Sequence, residues 1–355
     1  MGKKVYKAIF LALGVGTLGV MIYSIGLANI WLNIQKTGVW FVPVIGSWLL
    51  IYVLNAFAFK AIIQEPDLPA TQLSFGAVLR LTITGYAINY ITPFVGLGGE
   101  PYRIMELKPK VGIHKASSSV LLYSLMHMFS HSLFWLASVG LILAFVPVSR
   151  LLLAGCAFMV LISVLLGTWF IRVYRKGFIV STLTLLKKLP LVKAWAHGFA
   201  QEKEGTLHEI DNQIRILYAD RKPRFYSSLI LEFVARGVGC VEIYCTALAI
   251  GLKMSWVEAL VISSASSLFA NLVFFFPMQL GTREGGLALA LRSIGLPAAS
   301  GIFIGVVTRI REVFWIMVGL ALMNRNRTKT PDNPMKESGL SYAAPTEAQN
   351  KNNAW

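Results

Sequence analysis

Two short charged patterns lie inside apolar stretches of this chain, where charge is costly. The first is Pro93, Gly96, Gly98, Gly99, Glu100, Arg103; the second is Pro277, Gly281, Arg283, Glu284, Gly285, Gly286. Proline and glutamate stand seven residues apart in both. After each glutamate a Gly-x-x-x-Ala-Ser motif opens a long apolar run (Gly112, Ala116, Ser117; Gly295, Ala299, Ser300). The prolines are 184 residues apart and the motif glycines 183. One offset governing both motifs reads as an internally duplicated membrane protein whose site lies between the copies. Irregular backbone inside a membrane is tolerated only where it is buried in protein or lines a wet cavity. Each pattern ends at the start of a short helix, whose free N–H groups and dipole favour an anion. Arg103 and Arg283 add charge-assisted hydrogen bonds suited to phosphate or carboxylate. Glu100 and Glu284 can take a proton, pair with the arginines, or hold an amine or cation. In the alternative reading, glutamate and arginine simply neutralise each other and fix the bend.

Further charges fall in apolar runs. Arg309, Arg311 and Glu312 sit near the centre of the last one, where each costs about 2.5–3.5 kcal/mol on insertion scales. Arg309 and Glu312 are three apart, so they share a helix face and can pair. Arg309 should face the second bend, while Arg311 points about 200° away and needs another partner. Glu232 and Arg236, four apart, read as an internal salt bridge, with Glu242 further along. Asn55, Asn89 and Asn271 are weaker candidates for a pore lining. His127 and His131 share a helix face at a metal-compatible spacing, but no neighbouring Glu or third His completes a metal set in the sequence. Buried, hydrogen-bonded imidazoles are the expected state, and no metal is assigned. Cys156, Cys240 and Cys245 read as core thiols. No phosphate-binding Gly-rich loop and no Ser/His/Asp arrangement is present, so no cofactor is expected and no catalytic residue is assigned.

These residues need elements to hold them. The chain has 355 residues, 55% hydrophobic and 14% charged, with a net charge of +16. That balance gives an all-α polytopic membrane protein, and it makes clustered basic residues topology signals and lipid contacts rather than a nucleic-acid surface. Full spans are expected over 5–32, 39–63, 114–146, 150–173, 225–250 and 299–323, each long enough for a hydrocarbon layer of about 30 Å. Lys3, Lys4 and Lys7 before the first run, with no clear cleavage site after it, read as an uncleaved first span. Segments 75–111 and 255–293 are apolar but broken by Pro and Gly, as re-entrant hairpins or ordinary spans. Stretch 172–224 carries eleven Lys/Arg against five Asp/Glu. It and both termini are therefore placed in the cytoplasm. An even number of crossings then precedes it, which makes 75–111 a hairpin from the cytoplasmic side and 255–293 one from the exterior. The repeats, about 75–146 and 255–323, are inverted in that reading; eight full spans with a parallel repeat is the alternative. Residues 1–323 form one membrane domain. Segment 174–224 is expected to be amphipathic at the cytoplasmic surface, and tail 324–355 to be disordered.

The two motifs bring a family into view. TPFVGLGGEPYRIMEL followed by VGIHKASSSVLLYSLMHMF resembles the first half of the flippase-like transmembrane region of lysylphosphatidylglycerol synthases and their stand-alone relatives. FPMQLGTREGGLALALRSIGLPAASGIFIGVVTRIREVFWIMVGLAL resembles the second half. The matching positions are Pro93, Gly99, Glu100 and Arg103, then Pro277, Gly281, Arg283, Glu284, Gly285 and Arg309. The helix after the first motif departs from the family, which usually carries an Arg and an Asp where this chain holds Ser124 and His127. The synthase's soluble aminoacyl-transferase domain does not appear in this sequence, so lysine transfer to lipid is not expected. The resemblance implies translocation of an anionic lipid or lipid-linked intermediate, of the phospholipid or polyprenyl-phosphate type, across the cytoplasmic membrane. Gly99, Glu100, Arg103, Gly281, Arg283, Glu284 and Arg309 would then bind substrate, with Glu312, Glu232, Arg236, His127 and His131 in pairing or coupling. Two other readings stay open: an intramembrane lipid-modifying enzyme, and an accessory subunit of a glycosyltransferase or lipid-synthesis partner.

Overall fold

A computed structural model describes residues 12, 16, 19–65, 68–92, 98–145, 147, 149–176, 211–212, 222–272 and 282–324. Pro93, Gly96, Pro277 and Gly281 lie outside the described residues. So do nearly all of segment 177–221, the tail beyond 324 and most of 5–18.

All regular structure among the described residues is helical: α1 (Leu27–Thr37), α2 (Phe41–Ile63), α3 (Phe75–Ile91), α4 (Gly99–Val111), α5 (Ile113–Phe145), α6 (Arg150–Lys176), α7 (Lys222–Ala249), α8 (Trp256–Leu272), α9 (Thr282–Ser293) and α10 (Ala298–Asn324). Leu27–Ile63, α5 and Leu152–Ile171 are long and apolar enough to cross a membrane. Helices α7 and α10 have 28 and 27 residues, length enough to cross, but their apolar faces are interrupted by charge. On α6, Leu153, Leu161, Val164, Leu165 and Ile171 are exposed, the composition of a lipid-facing surface.

Two sets of three helices match in order and in length. Helices α3 and α8 have 17 residues each, α4 and α9 have 13 and 12, and α5 and α10 have 33 and 27. A serine opens both first helices. Ser74 Oγ accepts from the Ala77 N–H, and Ser255 forms a reciprocal capping box with Glu258. Gly112 and Gly295, the motif glycines, have φ of 79° and 80°. Only glycine takes that conformation cheaply; Gly112 caps α4 directly before α5, and Gly295 turns the chain just after α9, three residues before α10 begins. At about 20 and 18 Å, α4 and α9 are too short to cross the bilayer core. The Pro and Gly clusters expected to break 75–111 and 255–293 lie mostly outside the described residues, at 93–97 and 273–281.

Contacts fix the direction of neighbouring helices. Trp135 meets Ser267 and Ser138 meets Ser264, so α5 and α8 run antiparallel. Leu79 shares a cluster with Val318 and Leu322, and Tyr90 lies near Arg311, so α3 and α10 run antiparallel. Gln64 meets Arg224 and Trp48 meets Glu242, so α2 opposes α7. His127 meets Glu232 and Ser130 meets Arg236, so α5 and α7 run together. Each repeat's third helix therefore packs on the other repeat's first. The main core lies among α2, α3, α4 and α5, around Phe59, Ile62, Leu122 and Met126.

Candidate functional site

The first motif builds its site where α3 and α4 cross. A Cβ on Gly99 would strike the Gly85 carbonyl and Asn89, and one on Gly85 would strike the Arg103 guanidinium. Glycine at both positions lets the helices touch. The Gly99 N–H, expected to be open to an anion, is instead taken by Asn89 Oδ1 at 2.6 Å. Asn89 thus anchors the helix start, a role its sequence context did not reveal. Glu100 Oε1 accepts from Arg103 Nη1 at 3.4 Å and from Asn89 and Ser124, both at 3.5 Å. All three lie at the weak end of hydrogen-bond geometry. Arg103 is nearly sealed, with Cζ 5.1 Å from the Tyr86 ring, 5.2 Å from Tyr123 and 6.0 Å from Phe59. Its Nε and Nη2, and Glu100 Oε2, find no hydrogen-bond partner among the described residues.

The second motif is held differently. Arg309 grips Glu284 with Nε on Oε1 and Nη2 on Oε2, the latter at 3.0 Å. Arg283 Nη1 donates to Glu312 Oε1. Arg311 clasps Glu242 through two bonds of 2.8 and 2.9 Å, while Trp48 covers its guanidinium at 3.6 Å and donates to Glu242 at 2.7 Å. Arg309 and Glu312, expected to pair along one face of α10, take partners from α9 instead. The reason is that an acid already stands in the first turn of α9, opposite Gly305, where a Cβ would hit Glu284. Arg311 finds its separate partner in Glu242, whose distance in sequence gave no cue.

In both copies the motif glutamate is the accessible member and its arginine the buried one. Side-chain exposures are 20% for Glu100 and 2% for Arg103, 17% for Glu284 and 4% for Arg309.

A model of the lysylphosphatidylglycerol synthase transmembrane region matches residues 8–320. The chain belongs to that family. It is also 21% identical over 266 residues to a UPF0104 membrane protein of Pyrococcus horikoshii, covering 72% of this chain and 78% of the relative. No solved structure matches the chain significantly.

Where the synthase family was expected to carry an Arg and an Asp, this member uses Ser124 and His127 to reach two acids. Ser124 donates to Glu100, and His127 Nδ1 lies 2.8 Å from Glu232 Oε2. The sequence offered no acid for the histidine pair, and α7 supplies one. Arg236 Nη2 closes the cluster at 3.3 Å from Glu232 and at 2.6 and 2.8 Å from the two His127 nitrogens. His131 stands beside His127 with ring centroids 5.3 Å apart, and its Nδ1 meets Ser267 at 3.4 Å. Tyr86 ties the cluster to the first motif: its hydroxyl meets His127 at 3.1 Å, Tyr123 at 3.2 Å and the Asn55 amide at 2.9 Å. Toward the second motif, Tyr52 spans from the Tyr86 ring to the Trp315 ring of α10. Aromatic residues therefore connect the two charged sites. Gly281 lies outside the described residues.

Proposed function

We propose that this membrane protein is a flippase-like transporter that moves an anionic lipid across the cytoplasmic membrane, the lipid being of the phospholipid or polyprenyl-phosphate type. The observation that carries the reading is the matched pair of motif acids, Glu100 and Glu284. Each opens the short helix after a break, and each is presented outward by a buried arginine. Intramembrane ion pairs at equivalent bends mark a substrate path in transporters built from repeats. The helix directions support an inverted repeat. Helix α10 opposes α3 and α8 opposes α5, while α2 runs against α7 and alongside α10 through the Trp48–Arg311 and Tyr52–Trp315 contacts. Since α5 runs with α7, α5 and α10 point opposite ways. Rocking of one repeat against the other would alternate access.

An anionic headgroup arriving at Glu100 meets contacts of 3.4–3.5 Å, weak enough to exchange. A phosphate oxygen would satisfy the Arg103 Nε and Nη2 protons as Glu100 swings aside. Arg283, partly exposed beside Glu284, offers a second cation. The test is reconstitution into liposomes with fluorescent phosphatidylglycerol or fluorescent polyprenyl phosphate, wild type against Arg283→Ala. Wild type should move the anionic probe, with Arg283→Ala slower by about tenfold, the worth of one charge-assisted bond. Equal movement by both proteins would remove the arginine's role, and none by wild type would remove the function.

A further inference from the structure

The centre of the bundle holds a cluster that the lipid path does not use. His127 projects from α5 toward Glu232 and Arg236 of α7, with Tyr86 of α3, Tyr123 and Ser130 of α5, and Arg103 of α4 around it. Asn55 of α2 holds Tyr86, and His131 meets the His127 ring edge-on from behind. Glu232 is completely buried, whereas His127 and Arg236 keep partial exposure.

Around His127, donor and acceptor compete for the same atom. Glu232 Oε2 is an acceptor and sits 2.8 Å from Nδ1. Arg236 Nη2 is a donor only, and sits 2.6 Å from the same Nδ1. With Nδ1 unprotonated, it accepts from Arg236. In the neutral ring protonated on Nδ1, Nδ1 donates to Glu232 and Nε2 accepts from Arg236; a further proton, on Nε2, removes the last acceptor, and Arg236 then has to leave the ring. A place for Arg236 already exists: Glu232 Oε1 is buried and has no hydrogen-bond partner among the described residues. An unfilled carboxylate oxygen at zero exposure is costly unless a second arrangement fills it.

Charge points the same way. Glu232 and Arg236 cancel when His127 is neutral, as Glu100 and Arg103 cancel. One proton on His127 leaves a net positive charge in a low-dielectric interior, one hydroxyl away from the Arg103 aromatic cage. A monoanionic headgroup restores neutrality.

We infer that the His127–Glu232–Arg236 cluster carries the coupling proton of this transporter, one proton travelling with each anionic headgroup. The inference rests on the lipid-translocation reading above. The proton enters from one side, resides on His127 while Arg236 moves onto Glu232 Oε1, and leaves on the other side when the headgroup departs. No bond other than N–H is made or broken, and the combined step is electroneutral.

Electroneutrality makes the test clean. The full-length protein is placed in liposomes with fluorescent phosphatidylglycerol, a pH dye trapped inside, and the membrane potential clamped by potassium and valinomycin. A difference of one pH unit should drive the probe to about a tenfold asymmetry between leaflets, with protons entering alongside it. His127→Gln should abolish the asymmetry while the probe still equilibrates. The readout is the final distribution, so a change in rate alone does not confuse it. Glu232→Gln makes the same prediction and serves if the first variant does not fold. Equal leaflets in wild type under the gradient, or asymmetry kept by both variants, would overturn the coupling. A wild type that moves no probe at all would overturn the translocation reading itself.

Discussion

The two motif sites match in residue type and spacing but not in tightness. In the second copy, Arg309 holds Glu284 through two bonds, and Arg283, Glu312, Arg311, Glu242 and Trp48 form a continuous set of contacts. In the first copy, Glu100 receives three long contacts while Arg103 leaves two nitrogens unpartnered among the described residues and rests on aromatic faces. A satisfied bidentate pair fixes helices. A buried cation with spare donors is a strained arrangement that an incoming anion can relieve. The contrast makes the Glu284–Arg309 pair the firmer anchor and the Glu100–Arg103 pair the readier to exchange.

Substitutions can break or sharpen that contrast. The largest expected effect is on stability, from Arg309→Met. It removes both bonds from Arg309 to Glu284 and should cost about 3 kcal/mol, toward the low end for a broken buried pair because Glu284 keeps some exposure. Thermal unfolding in detergent, followed by tryptophan fluorescence, would show a markedly lower midpoint. Gly85→Ala should come next. Its Cβ collides with the Arg103 guanidinium, so the cost is about 1–2 kcal/mol, the range for overpacking. Arg103→Met should change stability by about 1 kcal/mol or less, since an apolar side chain of similar length replaces a charge that lacks full pairing. A loss as large as that of Arg309→Met would erase the difference between the copies. Smallest is Ser124→Ala, which removes one contact of 3.5 Å and should shift stability by about 0.5 kcal/mol.

Much of this plan was legible in residue spacing. The glycine and glutamate of each motif marked the starts of both short helices, at Gly99 and Thr282, because an acid suits the first turn of a helix. Gly112 and Gly295 were visible through their shared motif, and their matching φ angles follow. The angular position of Arg311 on its helix foretold a partner away from Arg309, though not that the partner is Glu242. Partnerships between distant helices were not legible. His127 and Glu232 are 105 residues apart and share no motif. Tyr86 and Tyr123 look like any other apolar-run aromatics until packing sets them around a guanidinium. The one available signal was Glu232 itself, a carboxylate in the middle of a long helix that had to find a donor on a neighbour.

The most direct test is the rate of fluorescent phosphatidylglycerol movement in liposomes carrying equal amounts of folded wild type or Arg103→Met. The account predicts a fall of about tenfold or more with the unfolding midpoint nearly unchanged. Equal rates in the two proteins would contradict it.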